Sequence, residues 1–476
     1  MYTPLLGRRL LDRANRRDDR PGRTPAEFFD EVFFPLVFDD EQYLMTAGNS
    51  KFGQLVNNRK KNRAAAEKEG RAWDEDEWAR LRSEALADFH AAAVEVEEPE
   101  GHLVLGGYAS GLDGTTSGQV TGLNHDATAD EVYLSWIGAA GGAGVAGGLV
   151  LLVDHDDVLD AVLEGWRMYR RVLTETPGLK ANQVETWNGQ WLRHHFSPAY
   201  QAEDPTAFLP SALKTTASGT AIETVPWARL LLSLGGALGD EPVSAYVYSL
   251  GQTNSTLGFV PLHLGATGVL RDSYATVRSF YRDLFGVAVD QATVSPDSLD
   301  SVYDAGAGFA RACAQGAVGL AALEPAKIRD FLPTGKHKSP RPVTPETAQT
   351  PLLYQTWMHA MLGDNRTALY DRARDTADLL FGVETGALGG KTNLKKPVAD
   401  ALDAKSLPAL VDGLTEIADA ITSGKTALSD EDAADTLNAL DGLVRDGLDL
   451  SQERFYLFLS LLRFQVALLR GKASTQ

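Results

Sequence analysis

Apolar residues recur along the chain at spacings that predict distinct elements. Thr24-Pro25-Ala26-Glu27 reads as a helix start, with a Thr cap, Pro at the first position and Glu three residues after the cap. Phe28, Phe29, Val32, Phe33 and Phe34 then supply an apolar face. Ala64–Ala93 carries helical periodicity, with Trp73, Trp78, Leu81, Leu86 and Phe89 directed to a core. In the middle of the chain, alternation and short apolar runs predict strands at His102–Tyr108, Val132–Trp136, Leu149–Val153, Val243–Leu250 and Gly258–Leu264. Asp157–Leu173 and Arg271–Phe285 read as amphipathic helices. Pro333, Pro340, Pro342, Pro345 and Pro351 then interrupt any regular element. Beyond them the pattern is helical only: Leu352–Leu362, Thr367–Phe381, Lys396–Leu402, Leu407–Thr422, Asp430–Asp446 and Gln452–Arg470, with Ser429 and Ser451 as N-caps. The last helix is the richest in Leu, Phe and Val, so it is expected at the centre of a bundle.

The pattern predicts an α+β protein in four segments. Residues 1–101 form a helical and loop region, residues 102–325 a mixed α/β region, residues 326–351 a proline-rich linker, and residues 352–476 an all-α C-terminal helical bundle. Hydrophobic content of 44% and aromatic content of 8% over 476 residues are ordinary for a folded chain with ample core. A single cysteine, Cys313, excludes an intrachain disulfide and a multi-thiolate zinc site. No apolar run reaches the roughly 20 residues of a membrane helix, and Met1–Leu11 is followed by charge rather than a signal-peptide core. A cytoplasmic protein with no membrane partner is expected.

Net charge is −19, so the mean field repels polyanions. Against that background Ser50–Arg63 packs five cations and no acid into fourteen residues. Lys51, Arg59, Lys60, Lys61 and Arg63 suit phosphates, while Asn57 and Asn58 offer hydrogen bonds to base edges and sugars. This stretch is expected to be a loop before the helix at Ala64; a solvated surface loop is the bland alternative. A second candidate is the uncharged polar loop containing Gln252, Thr253 and Asn254, which reads equally well as a self-capped turn.

Other motifs weigh less. The glycine run Gly138–Gly148 lacks a Lys-Ser/Thr pair and precedes a strand-like segment, so it fits neither phosphate-loop signature, and tight backbone packing is the simpler reading. Asp154-His155-Asp156-Asp157 is expected to cap a helix through Asp rather than bind metal. His194-His195 follows Trp187 and Trp191 at helical spacing and reads as core. Cys313, between alanines, reads as an inert buried thiol. No nucleophile elbow or metal constellation emerges, and no cofactor and no catalytic activity are expected.

Three features together resemble the large subunit of type I CRISPR interference complexes of the Cascade kind, possibly subtype B. They are the Phe-rich segment leading into Lys51–Arg63, the run Ser135-Trp136-Ile137-Gly138 with its glycines before Glu164-Gly165-Trp166, and a helical end after a proline-rich break. The resemblance covers much of the chain, but as pattern rather than a diagnostic motif. It implies a non-catalytic antiviral subunit that holds the 5′ end of a CRISPR guide RNA, checks the motif beside the target double-stranded DNA and helps open the duplex. It also implies contacts with other Cascade subunits and recruitment of a helicase-nuclease. It further implies a bundle lining the displaced strand, with Lys391, Lys395, Lys396, Arg463 and Arg470 as candidate contacts, and internal initiation at Met358 or Met361 as a second source of that bundle. A scaffold without nucleic acid, or an enzyme holding a phosphorylated ligand at the glycine run, remain as alternatives.

Overall fold

The computed structural model describes residues 2–40, 42–46, 51–70, 75–95, 127–217, 219–239, 241–249, 255–286, 309–314, 318–320, 349–363, 366–385, 394–426 and 428–475. The expected strand His102–Tyr108 and nearly all of the proline-rich segment 326–351 lie outside them. The chain divides into two compact units: Met1–Gly265 with Gly308–Gly319, and Ala266–Ala307 with Leu320–Gln476.

The first unit begins with helix α1 (Tyr2–Arg17), which crosses α6 (Ala129–Ala140) at backbone contact. A Cβ at Gly7 would fall 1.9 Å from the Leu134 carbonyl oxygen, and one at Gly138 1.9 Å from that of Thr3. The two glycines therefore allow the crossing. Helix α2 (Pro25–Phe28) opens with the expected capping box: the Glu27 N–H donates to Thr24 Oγ1 (3.2 Å) and the Thr24 N–H to Glu27 Oε2 (2.7 Å). It passes through a π turn at Phe29–Phe33 into α3 (Phe34–Val37). The wider turn rephases the helix, so that Phe28, Phe29, Phe33, Phe34 and Phe38 are all buried.

Val132–Trp136, expected as a strand, lies inside α6. Every residue from Val132 to Ala140 is buried, so no polar face reveals the period of 3.6. The local signal for a helix is the capping box ahead of it, where the Glu131 N–H donates to Thr128 Oγ1 (3.3 Å) and the Thr128 N–H to Glu131 Oε2 (2.9 Å).

Five of the strands form one sheet. It contains β1 (Ala143–Val145) and β2 (Leu149–Val153), joined through Gly147 and Gly148 at φ 102° and 77°. Next follow α7 (Asp156–Glu175), α8 (Val184–His195), the short α9 (Leu209–Ala212) with a small β3–β4 hairpin (Leu213–Thr216, Gly219–Ile222), and α10 (Trp227–Leu238). Strands β5 (Val243–Ser249) and β6 (Ser255–His263) complete the central hairpin. Sheet order is β1-β2-β5-β6-β7, antiparallel except for the last pair, with β7 at Val318–Gly319. All five residues of β2 are buried, as its unbroken apolar run predicts.

Helix α7 is capped by His155 rather than by Asp. The Asp157 N–H donates to its Nδ1 (3.2 Å), while Nε2 meets Glu241 at 2.9 Å. The neighbouring acids instead hold α1: Arg9 and Arg13 pair with Asp156 at 2.7 and 2.6 Å, and Arg13 also pairs with Asp160.

The second unit is helical. It contains α11 (Gly265–Phe285) from Ala266 onward and helices at Gln349–Met361, Arg366–Thr385, Lys395–Asp403, Leu407–Thr422, Asp430–Leu448 and Gln452–Thr475. Ser429 caps its helix as expected, accepting from the Asp432 N–H (3.1 Å). The final helix is the bundle's centre: Phe458, Leu461, Leu462 and Val466 are fully buried. The protein is thus α+β, with its sheet in the N-terminal and middle region and helices in the C-terminal region. Among the described residues no helix is long and apolar enough to cross a membrane.

Candidate nucleic-acid interface

The cationic block is helix rather than loop. Helix α4 spans Lys51–Lys68 and carries Lys51, Asn57, Asn58, Arg59, Lys60, Lys61 and Arg63 on its first four turns. Polar residues dominate, so periodicity gave no helical signal; two apolar anchors hold it instead. Phe52 is 1% exposed and sits among Phe34, Phe38 and Phe89 at ring distances of 5.1–5.3 Å. Leu55 and Ala66 are buried behind it, and Tyr43 Oη donates to the Phe52 carbonyl (2.8 Å). Lys61 and Arg63 are exposed, and Arg63 meets Glu67 at 3.3 Å on the next turn. Glu67 is the first acid of the helix, so sixteen residues from Lys51 to Ala66 carry cations and amides without a carboxylate. The helix that was expected to run over Ala64–Ala93 is two helices, α4 and α5 (Glu75–Val94), packed together.

Gln252, Thr253 and Asn254 lie outside the described residues, but the hairpin that carries them is formed. Lys391 also lies outside. Lys395 and Lys396 are exposed in the first turn of Lys395–Asp403, where cations oppose the helix dipole and acids would be favoured.

Two candidate cations are committed to internal bonds. Arg463 donates to the carbonyls of Leu402 and of Ala404 (2.6 Å for the latter), satisfying the frayed end of Lys395–Asp403, and its burial lowers its pKa. Arg470 pairs with Glu384 at 2.8 Å, tying the last helix to Arg366–Thr385. Both guanidiniums thus engage groups within the helical unit, a helix end and a partly buried acid.

The glycine run is occupied by packing. A Cβ at Gly189 of α8 would fall 2.3 Å from the Gly144 carbonyl oxygen, and Asn188 donates to the Ala140 and Gly142 carbonyls at 2.7 and 2.9 Å. Trp187 and Trp191 are fully buried and stack on each other, Trp187 stacks also with Tyr169, and each indole N–H reaches a carbonyl of α7 at 2.7 Å. His194 and His195 lie against Tyr200 at 5.5 and 4.6 Å, and burial depresses both pKa values, as a core role requires. Burial pushes the Cys313 thiol up to about 11, leaving it unreactive at neutral pH. Among the described residues no group of three or more His, Cys, Asp or Glu side chains is placed to hold a metal ion.

One surface escaped the sequence reading. Tyr246 and Tyr248 alternate along β5 toward one face, and Phe259 of β6 stands opposite Tyr246 at a ring distance of 5.3 Å. Phe259 is 65% exposed. The alternation Tyr246-x-Tyr248 was the available signal. No protein-family model, no curated protein and no solved structure matches this chain.

Proposed function

We propose that the chain is the non-catalytic large subunit of an RNA-guided type I CRISPR surveillance complex, contacting the guide RNA 5′ end and the motif-adjacent target duplex through α4. The observation that supports this reading is the acid-free cationic stretch of α4 in a chain of net charge −19. A general polyanion binder would be basic throughout. A local basic helix on an acidic body suits a subunit whose other nucleic-acid contacts come from neighbouring proteins. Rigid placement on a helix anchored by Phe52 suits a duplex or structured RNA end better than a mobile loop would.

The test is purification of the tagged chain from its native host, with bound nucleic acid sequenced, for wild type and for the double variant K60E/K61E. The reading expects short RNAs of uniform length with a common repeat-derived 5′ handle, together with a fixed set of partner proteins. The double variant should lose the RNA or bind it with a shallower salt dependence. Recovery of clean protein, with no RNA and no recurring partners, would overturn the proposal. Retained partners without RNA in wild type would favour a scaffold.

A further inference from the structure

The helical unit buries polar side chains where four of its helices meet. Ser273 of α11, Gln355 and His359 of Gln349–Met361, Tyr370 of Arg366–Thr385 and Gln465 of Gln452–Thr475 are each at most 1% exposed. Gln355 and His359 stand one helical turn apart, so a single helix face presents both. His359 Nδ1 shares a hydrogen bond with Ser273 Oγ (2.9 Å), and its ring packs on Tyr370 at 5.1 Å. The Tyr370 hydroxyl donates to Gln355 Oε1 (3.2 Å), and Gln465 Nε2 donates to the same oxygen (3.4 Å). Tyr370 thus gathers the cluster: its ring holds His359 and its hydroxyl holds Gln355.

These bonds use only part of the capacity of the groups that make them. Among the described residues nothing meets Gln355 Nε2, His359 Nε2 or Gln465 Oε1, and all three atoms are enclosed. Turning the amides over does not cure this. If both turn, Gln355 donates to Gln465, and the stranded atoms become Gln355 Oε1 and Gln465 Nε2. If one turns, like atoms face each other. A buried donor or acceptor without a partner carries its full desolvation cost, so three in one core point to a guest.

The chemistry of the three atoms selects that guest. It must accept from the Gln355 amide and donate to the Gln465 oxygen. An anion cannot donate and a metal cation cannot accept. No charge in the cluster balances either ion, since burial and the Arg366 cation lower the His359 pKa to about 4 and leave the imidazole neutral at pH 7. Water accepts and donates, and it serves His359 Nε2 in either tautomer. The resulting three bonds are what a buried water typically makes. Water is also the smallest such molecule, which suits two amides only 3.4 Å apart.

We propose that Gln355, His359 and Gln465 form a binding site for internal water at the centre of the helical unit. The water is a structural ligand: it ties together helices through polar groups that cannot satisfy one another. The site lies wholly in this unit and does not depend on the nucleic-acid reading of α4.

Oxygen-17 relaxation dispersion of the water signal, which counts long-lived internal waters in solution, tests this on the full chain. The double variant Gln355→Leu/Gln465→Leu should hold about one long-lived water fewer than wild type. Gln452→Leu, at an exposed position on the same final helix, should hold as many as wild type. Circular dichroism confirms folding of each variant. An unchanged count in the folded double variant would overturn the proposal. A crystal structure of the wild-type chain decides the matter without any variant: a compact water peak should lie about 2.7–3.2 Å from both amides. Amides closed directly onto protein partners at all four polar atoms, or elongated density from a larger solute, would overturn it.

Discussion

His359 makes the helical unit sensitive to acid. It is 1% exposed, its Nδ1 shares a hydrogen bond of 2.9 Å with Ser273 Oγ of α11, and its ring packs on Tyr370 at 5.1 Å. The Tyr370 hydroxyl donates to Gln355 Oε1 at 3.2 Å, and Gln465 reaches the same oxygen at 3.4 Å. These groups are neutral, and the charge that acts on the imidazole is the cation of Arg366, which adds to burial in lowering its pKa. Burial, the larger cause, and Arg366 bring the pKa from 6.5 down to about 4. The sign follows by linkage. Below 6.5 the unfolded chain binds a proton that the folded chain refuses, so stability is full above 6.5 and falls with pH until about 4, where the folded state also protonates. The difference, 6.5 − 4 = 2.5 units, at about 1.4 kcal/mol per unit, amounts to about 3 kcal/mol.

Hydrogen exchange of the helices at Gln349–Met361 and Gln452–Thr475, corrected for the intrinsic rate, reads this locally. Comparison with His359→Gln cancels every other titrating group. Between pH 7.5 and 4.5 wild type should lose close to two orders of magnitude more protection than the variant, about 2.5 kcal/mol. A difference between the two proteins that stays flat through this range, or that grows in favour of wild type, would refute the argument.

Gly189→Ala places a methyl against the Gly144 carbonyl at the contact of α8 with β1, and should cost about 1–3 kcal/mol, seen as a lower melting temperature. Asn188→Leu removes the amide donor from the buried carbonyls of Ala140, which keeps the Trp166 indole N–H at 3.0 Å, and of Gly142, and should cost about 1–3 kcal/mol in urea unfolding. Arg463→Met should cost about 1–3 kcal/mol by freeing the Leu402 and Ala404 carbonyls while leaving RNA retention unchanged, in contrast to K60E/K61E. A fragment beginning at Met358 lacks Ser273 and Gln355, both fully buried against His359 and Tyr370. Produced separately, it should unfold at lower urea than the same helices in the full chain, and equal midpoints would show that the bundle is self-sufficient.

Local chemistry in the sequence determined the helix starts at Thr24 and Ser429, the buried strand Leu149–Val153, the core placement of Trp187 and Trp191, and the helical C-terminal region. Each of these depends on residues within a few positions of one another, where capping and periodicity act. Tertiary structure decided what depends on distant partners. Lys51–Arg63 is helical because Phe52 and Leu55 find a remote aromatic core, and nothing in the block itself carries a 3.6-residue apolar pattern. Val132–Trp136 is helical because α1 and its neighbours cover it on all sides, which removes the polar face that separates helix from strand. Arg463 and Arg470 read as free cations until the fold placed carbonyl oxygens and Glu384 beside them.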